Sequence, residues 1–143
     1  TTMNFNEQYN EFCLNYFRCI KKNALLLSLT QSQVLCIQAI PYDGITQTDL
    51  AIKLSLDIST LSRNLEKLKK HKIIEKTTPP YDKRTLIISL TTKGKNIYQK
   101  LSRALNESLN KVIKNINIED LDYMNEILNK INWEFELYLK HNE

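Results

Sequence analysis

Residues 57–74 read DISTLSRNLEKLKKHKII, and this stretch decides which fold the rest of the chain is expected to build. Leu61, Leu65 and Leu68 recur at helical spacing behind Asp57, which is a favoured N-cap residue. The pattern therefore predicts a helix over residues 57–71 with its leucines turned into a core.

The face opposite these leucines is polar, and it consists of Ser59, Thr60, Ser62, Arg63, Asn64, Lys67 and Lys70. Arginine pairs with guanine edges and asparagine with adenine edges, so such a face suits the major groove of DNA. The small side chains of the first turn should also let the helix end approach phosphates, where free amides favour anions. A solvated helix surface uses the same residue types, so the neighbouring segments have to decide between the two interpretations.

A shorter helix is expected directly before this one. Thr46 and Asp49 form a T-x-x-D capping pattern, and apolar residues follow on one face: Leu50, Ala51 and Leu54. Two short helices a few residues apart are typical of a helix-turn-helix. At the start of the first helix we therefore expect further contacts to DNA, from Thr46, Gln47 and Thr48.

Two strand-like runs follow, residues 73–77 and 86–90, and the loop between them carries two prolines and several charges. Together they predict a β-hairpin with its tip at Asp82, Lys83 and Arg84. The Asp82 carboxylate is expected to accept from the Arg84 guanidinium and aim it at a narrow minor groove, where negative potential is enhanced. Lys83 and Lys76 are expected to bind phosphates.

Helical patterns occupy both ends of the chain. Apolar residues at helical spacing predict a helix over residues 5–27, the T-x-x-Q pattern of Thr30 opens another before Pro41, and Thr91 and Asn117 each precede a long amphipathic stretch. The predicted fold is mainly α with a small β-hairpin wing: a winged helix-turn-helix in the order α-α-α-α-β-β-α-α.

Charge is unevenly distributed along the 143 residues. Residues 45–95 carry eleven Lys and Arg against five Asp and Glu, a net charge of +6, whereas residues 118–143 have a net charge of −5. A basic middle third suits a polyanionic partner. We expect a cytoplasmic protein, because three cysteines make no disulfide framework and neither a signal peptide nor a membrane span is evident.

The motifs at Leu61-Ser62-Arg63, residues 68–74, Asp82-Lys83-Arg84 and residues 89–94 together resemble the MarR (multiple antibiotic resistance) family of regulators. The corresponding family patterns are TVSR, LEKKGLI, DxR and SLTxKG. Lys72 stands where the family usually has a glycine, a change that affects the expected exit from the helix. The resemblance covers essentially the whole chain.

The resemblance implies one MarR-like domain over residues 1–143. Residues 30–92 would form the winged DNA-binding lobe, and residues 4–28 with 93–143 would form a helical dimerisation lobe. An intertwined homodimer would bind a pseudo-palindromic operator in double-stranded DNA as a repressor, and a small molecule or an oxidant would release it. The alternative is a winged-helix protein-interaction module without specific DNA binding.

The sensing residues are left open by the sequence. Cys13 lies in the first helix, as does the reactive cysteine of the peroxide-sensing branch of the family, although it also suits a dimer interface. Tyr9, Tyr16 and Phe17, with Trp133 and Tyr138, could line a ligand crevice or pack as plain core. No cofactor, metal site or enzymatic activity is expected, since the chain shows no nucleophile–base pair and has only two histidines.

Overall fold

The computed structural model describes residues 4–142, which form six helices and three short strands within that range. In chain order the elements are α1 (Phe5–Leu26), α2 (Gln31–Ala39), β1 (Ile45–Thr46), α3 (Gln47–Leu54), α4 (Ile58–Lys70), β2 (Ile74–Thr77), β3 (Ile87–Leu90), α5 (Thr92–Ile113) and α6 (Ile118–Asn142). The predicted mainly α fold with a β-hairpin wing is confirmed.

The predicted element order was wrong in one place, because it lacked β1. This strand pairs antiparallel with β3, Ile45 opposite Ile88 and Thr46 opposite Ile87, so the sheet has the order β1-β3-β2. Two residues are too few to show the alternating pattern of a strand in the sequence. Strand β1 is therefore recognisable only from its pairing with β3. Its consequence is functional: β1 fastens the start of α3 to the base of the wing.

The predicted helix starts are present as side-chain caps. Thr30 and Gln33 form the reciprocal capping box at α2, and Asn4 and Glu7 form another at α1. The Thr46 hydroxyl accepts from the Asp49 amide at α3, and the Asp57 carboxylate accepts from the Thr60 amide at α4. These caps satisfy amides that the helices themselves leave without partners.

By its backbone contacts the chain divides into two compact units, one ending at Glu107 and the other beginning at Ser108. In the first unit the core gathers residues from α1 to α5, among them Ile20, Ile37, Leu65, Ile88 and Leu101. In the second unit no described side chain of α6 is buried. The predicted lobes, residues 30–92 against residues 4–28 with 93–143, are a functional division and stay a prediction.

The exit from α4 is built around Lys72, whose φ of 59° lies in the left-handed region. The Ile73 amide donates to the Leu68 carbonyl at 2.9 Å, and the Lys72 amide donates to the Lys69 carbonyl at 2.9 Å. This pair of bonds is the Schellman motif that usually has glycine at its left-handed position. Lys72 therefore adopts the left-handed backbone conformation expected of glycine, although its Cβ makes that conformation sterically unfavourable. Strand β2 then begins at Ile74.

The start of α5 is joined to this exit. The Thr91 hydroxyl lies 2.6 Å from the Lys72 carbonyl oxygen and caps the Gly94 amide at 3.0 Å, and the Thr91 amide donates to the Ile73 carbonyl at 3.0 Å. Gly94 is buried, and a Cβ at this position would overlap the Ile73 carbonyl oxygen. The recognition-type helix α4 and the long helix α5 are thus fixed to one another through their backbones.

Replacing Lys72 with glycine is expected to stabilise the protein. Removing the side chain relieves the left-handed strain, so the free energy of unfolding should rise by about 1 kcal/mol. Urea unfolding followed by circular dichroism measures it. The matched control is Lys69→Gly, three residues earlier inside α4, which should lower the stability by about 1 kcal/mol. Equal destabilisation by both variants would contradict the strained exit.

Candidate nucleic-acid interface

The outer face of α4 is arranged as its sequence predicts. Leu61, Leu65 and Leu68 are fully buried and fix the rotation of the helix about its axis. The predicted contact residues occupy the other side: Ser59, Arg63, Lys67 and Lys70 are exposed, and Thr60, Ser62 and Asn64 are half-buried. This face therefore presents arginine, asparagine and hydroxyl groups together, the donors and acceptors that base edges and phosphates require.

A compact hydrogen-bond network surrounds Asp57 at the start of α4. Its carboxylate accepts from the Ser59 hydroxyl at 2.6 Å, from the Thr60 amide at 2.7 Å and from the Thr60 hydroxyl at 2.8 Å. These bonds, that of Ser59 first, hold the pKa of Asp57 well below its usual range. The Arg63 guanidinium in turn donates to the Thr60 hydroxyl at 3.3 Å.

This network corrects the expectation that phosphates approach the free amides of this helix end. The Asp57 carboxylate already occupies that place, and its negative charge is maintained by its own helix. Ser59 and Thr60 are held by the cap, and Arg63 is held through Thr60. The carboxylate therefore repels a phosphate at this helix end, whereas a base edge carries no net charge and meets no such repulsion.

The beginning of α3 and the wing meet in a groove of about 490 Å³ lined by Thr46, Gln47, Thr48, Ile58, Arg84, Thr85 and Leu86. The Gln47 amide donates to the Leu86 carbonyl at 2.9 Å, which extends the pairing of β1 with β3 by one bond. Four predicted contact residues, Thr46, Gln47, Thr48 and Arg84, are therefore brought to one place. Ile58, Thr85 and Leu86 were missed, because only the folded chain makes them neighbours.

The wing tip is held by Asp82, in a different way from the one expected. One carboxylate oxygen accepts from the Arg84 amide at 2.9 Å, and the other accepts from the Thr85 hydroxyl at 2.6 Å. Within residues 4–142 no ion pair joins the side chains of Asp82 and Arg84, so the predicted guanidinium contact is wrong. Asp82 shapes the backbone of the tip and leaves the exposed guanidinium of Arg84 available to a partner, with Lys83 exposed beside it.

Lys76 departs from its expected role as a phosphate ligand. Its ammonium group lies 2.6 Å from Glu66 on α4, and its side chain is only 12% exposed. The hydrogen bond from Lys76 is also the main reason why the pKa of Glu66 is lowered. Lys76 thus connects strand β2 to the flank of α4 and is not free to bind a phosphate.

The candidate sensing residues Cys13, Tyr9, Tyr16 and Phe17 lie on α1, and the further crevice candidates Trp133 and Tyr138 lie on α6. Cys13 and Cys19 are half-buried, whereas Cys36 is buried and its burial raises the pKa of the thiol to about 11, as suits a core residue. Tyr16 packs against the core, and Tyr9 and Phe17 are exposed. A cavity of about 620 Å³ lies elsewhere, with Tyr42, Lys53 and Lys95 in its lining, and it includes none of the five aromatic residues predicted to line a crevice.

Two negative observations apply to the part of the chain that the structure describes. Residues 4–142 contain no group of three or more His, Cys, Asp or Glu side chains placed to hold a metal ion. None of the helices in the same range is long and apolar enough to cross a membrane.

The cap of α4 should make the stability pH-dependent in one direction. Because the folded-state pKa of Asp57 is lowered, its stabilising contribution is present above the unfolded value of about 3.9 and is lost as the pH falls towards the folded value. Asp57→Asn keeps an acceptor for the Thr60 amide and removes the charge, so it should flatten the pH dependence. Urea unfolding between pH 3 and pH 7 measures the free energy of unfolding of both proteins. If it changes with pH equally in the parent and in Asp57→Asn, the charged cap does not cause the pH dependence.

The fold has counterparts among known proteins. The MarR family model matches residues 27–86. The HTH-type transcriptional regulator BilQ of Clostridium symbiosum is 28% identical over 135 residues, covering 94% of this chain and 90% of BilQ. The crystal structure of apo MarR from E. coli superposes with a TM-score of 0.77 at 24% identity, covering 92% of this chain and 98% of that one.

A DNA-bound structure is also similar. The S. aureus MepR–DNA complex superposes with a TM-score of 0.73 at 20% identity, covering 93% of this chain and 99% of that one. The matched segment runs from the end of α1 through α4 to the base of the wing, so it contains every residue of the groove and of the polar face of α4. The winged helix-turn-helix segment of this chain, residues 27–86, is thus similar to the MarR family of regulators.

Proposed function

We propose that this chain is a sequence-specific DNA-binding transcriptional regulator, a cytoplasmic repressor that binds a pseudo-palindromic operator as a homodimer and performs no catalysis. One observation carries the proposal: the polar face of α4 adjoins the groove that holds the start of α3 and the exposed Arg84 of the wing. BilQ, a helix-turn-helix regulator, and MepR, solved on DNA, support it.

In this proposal each element meets a different part of the duplex. Helix α4 enters the major groove, where Arg63 and Asn64 contact base edges from positions fixed by the leucines behind them. Thr48, Lys67, Lys70 and Lys83 contact phosphates along the backbone. Arg84 enters the adjacent minor groove from the wing tip, whose backbone Asp82 holds in shape.

The homodimer is supported by apolar side chains that the single chain leaves exposed. On α1 these include Phe5 and Phe12, and on α6 they include Trp133, which is 62% exposed, and Leu139. A helix of 25 residues without a buried described side chain gains little packing energy from its own chain. A second copy would cover such surfaces, as apolar patches of this kind normally require.

The alternative, a winged helix that binds only proteins, uses the same basic surface on an acidic partner. Operator binding differs from it in two measurable ways: the affinity for duplex DNA falls log-linearly with salt concentration, and specific binding survives competitor DNA. Sequence-independent binding, or none, would favour the protein-interaction module.

Arg84→Ala should weaken binding to a duplex selected from a random pool by about 1–3 kcal/mol, because the wing loses its minor-groove contact. Fluorescence anisotropy at several salt concentrations measures the affinity and its salt slope. Lys140→Ala is the matched control, since it also removes one exposed cation but from the acidic end of the chain. If the two variants bind equally well, the wing takes no part in binding.

Signal-dependent release completes the proposal. An oxidant would act at Cys13, and a small molecule would bind either in the predicted crevice of Tyr9, Tyr16 and Phe17 or in the cavity beside Tyr42 and Lys95. The half-burial of Cys13 leaves part of its side chain accessible to a small oxidant.

If Cys13 is the oxidant sensor, hydrogen peroxide should release DNA from the parent protein and not from Cys13→Ser. Anisotropy of the bound duplex during a peroxide titration measures the release. Cys19→Ser, which changes another half-buried cysteine of α1, should behave like the parent. Equal release from both variants would remove Cys13 from the mechanism.

A further inference from the structure

Ile58, the first residue of α4, is a large apolar side chain that is 50% exposed in the groove between α3 and the wing, where Leu86 is another partly exposed apolar residue. Its neighbours in sequence are the capping Asp57 and the hydroxyl-bearing Ser59. A β-branched side chain adds nothing to the helix start at this position, because its helix propensity is low and half of its surface stays in water. The start of the helix by itself therefore gives no reason for isoleucine here.

The surroundings of Ile58 suggest what it contacts. It lines the groove shared with Thr48 and Arg84, and in sequence it directly precedes Ser59, the first residue of the polar face of α4. The carboxylate of Asp57, its neighbour in sequence, accepts three hydrogen bonds from Ser59 and Thr60. Ile58 thus supplies an apolar surface next to cationic and hydroxyl groups, all on the side of the molecule proposed to face DNA.

We propose that Ile58 reads the 5-methyl group of a thymine in each half of the operator. This inference rests on the proposed function. Among the four bases only thymine presents a methyl group in the major groove, and cytosine, the other pyrimidine, presents a hydrogen-bond donor there. A half-exposed isoleucine buries that methyl group and offers cytosine no acceptor, so it discriminates between the two pyrimidines without a hydrogen bond.

The size of the effect follows from the burial of one methyl group. Transfer of one such group from water corresponds to about a four-fold change in affinity. Because a homodimer would make the contact twice, symmetric removal of the methyl group from both half-sites should weaken binding by about fifteen-fold.

The chain contains a matched control for this contact. Ile52 on α3 is 52% exposed, nearly the same as Ile58, yet it does not line the groove. The two side chains are identical and differ only in place. A general effect of exposed apolar surface on DNA affinity would appear in both, whereas recognition of a methyl group in the groove requires Ile58 alone.

The test uses a duplex selected by this protein from a random-sequence pool. Each thymine is replaced in turn, symmetrically in both half-sites, by uracil, which lacks only the 5-methyl group. Affinities for the thymine and uracil duplexes are then compared for the parent, Ile58→Ser and Ile52→Ser. Because the readout is a ratio of two affinities of one protein preparation, an inactive fraction in a variant cancels.

We expect one thymine whose replacement by uracil lowers the DNA affinity of the parent and of Ile52→Ser by about fifteen-fold. The affinity of Ile58→Ser should be the same for the thymine and uracil duplexes. If the parent binds the duplex specifically and no replacement has an effect that depends on Ile58, the inference is overturned and the proposed function stands. If no duplex is bound specifically, the proposed function itself fails, and the inference fails with it.

Discussion

The contact of Gly94 with the Ile73 carbonyl oxygen is the constraint on which the other parts of the structure depend. A side chain at position 94 would overlap that oxygen, so only glycine lets the first turn of α5 approach the exit of α4 this closely. Around the contact, Thr91 bonds to the carbonyls of Lys72 and Ile73, and the Lys93 ammonium donates to the His71 carbonyl at 2.8 Å. The junction satisfies the carbonyls of residues 71–73, directly after α4, and starts α5 in the same few residues.

This junction determines how the candidate interface is presented. Helix α4 precedes the junction in the chain and packs its leucines in the core. Strand β2 follows the junction and leads to the wing. The pair of Lys76 and Glu66 connects the wing to the flank of α4, and the pairing of β1 with β3 connects it to α3. The polar face of α4 and Arg84 are therefore connected through backbone hydrogen bonds, the buried leucines and one ion pair, which suits reading a fixed spacing of bases.

The predictable features were the local ones. The helices, their caps at Thr30 and Asp57, and the leucine stripe of α4 each depend on residues three or four positions apart, a spacing that sequence reveals directly. Strand β1, the pairing of Lys76 with Glu66 and the place of Ile58 in the groove depend on partners ten or more residues away. At the wing tip the motif was recognised but the acceptor was assigned wrongly, because a short acid in a turn bonds its own backbone as readily as a nearby guanidinium.

If the junction orients α4 rigidly and two copies associate, the two recognition helices of a dimer reach DNA at one fixed separation. The most direct measurement is a methylation-interference footprint on the selected duplex, which reports contacts to guanines in the major groove. The account predicts two clusters of interference related by two-fold symmetry and centred about one helical turn, about 10 base pairs, apart. A single cluster, or contacts spread along the duplex without symmetry, would contradict it.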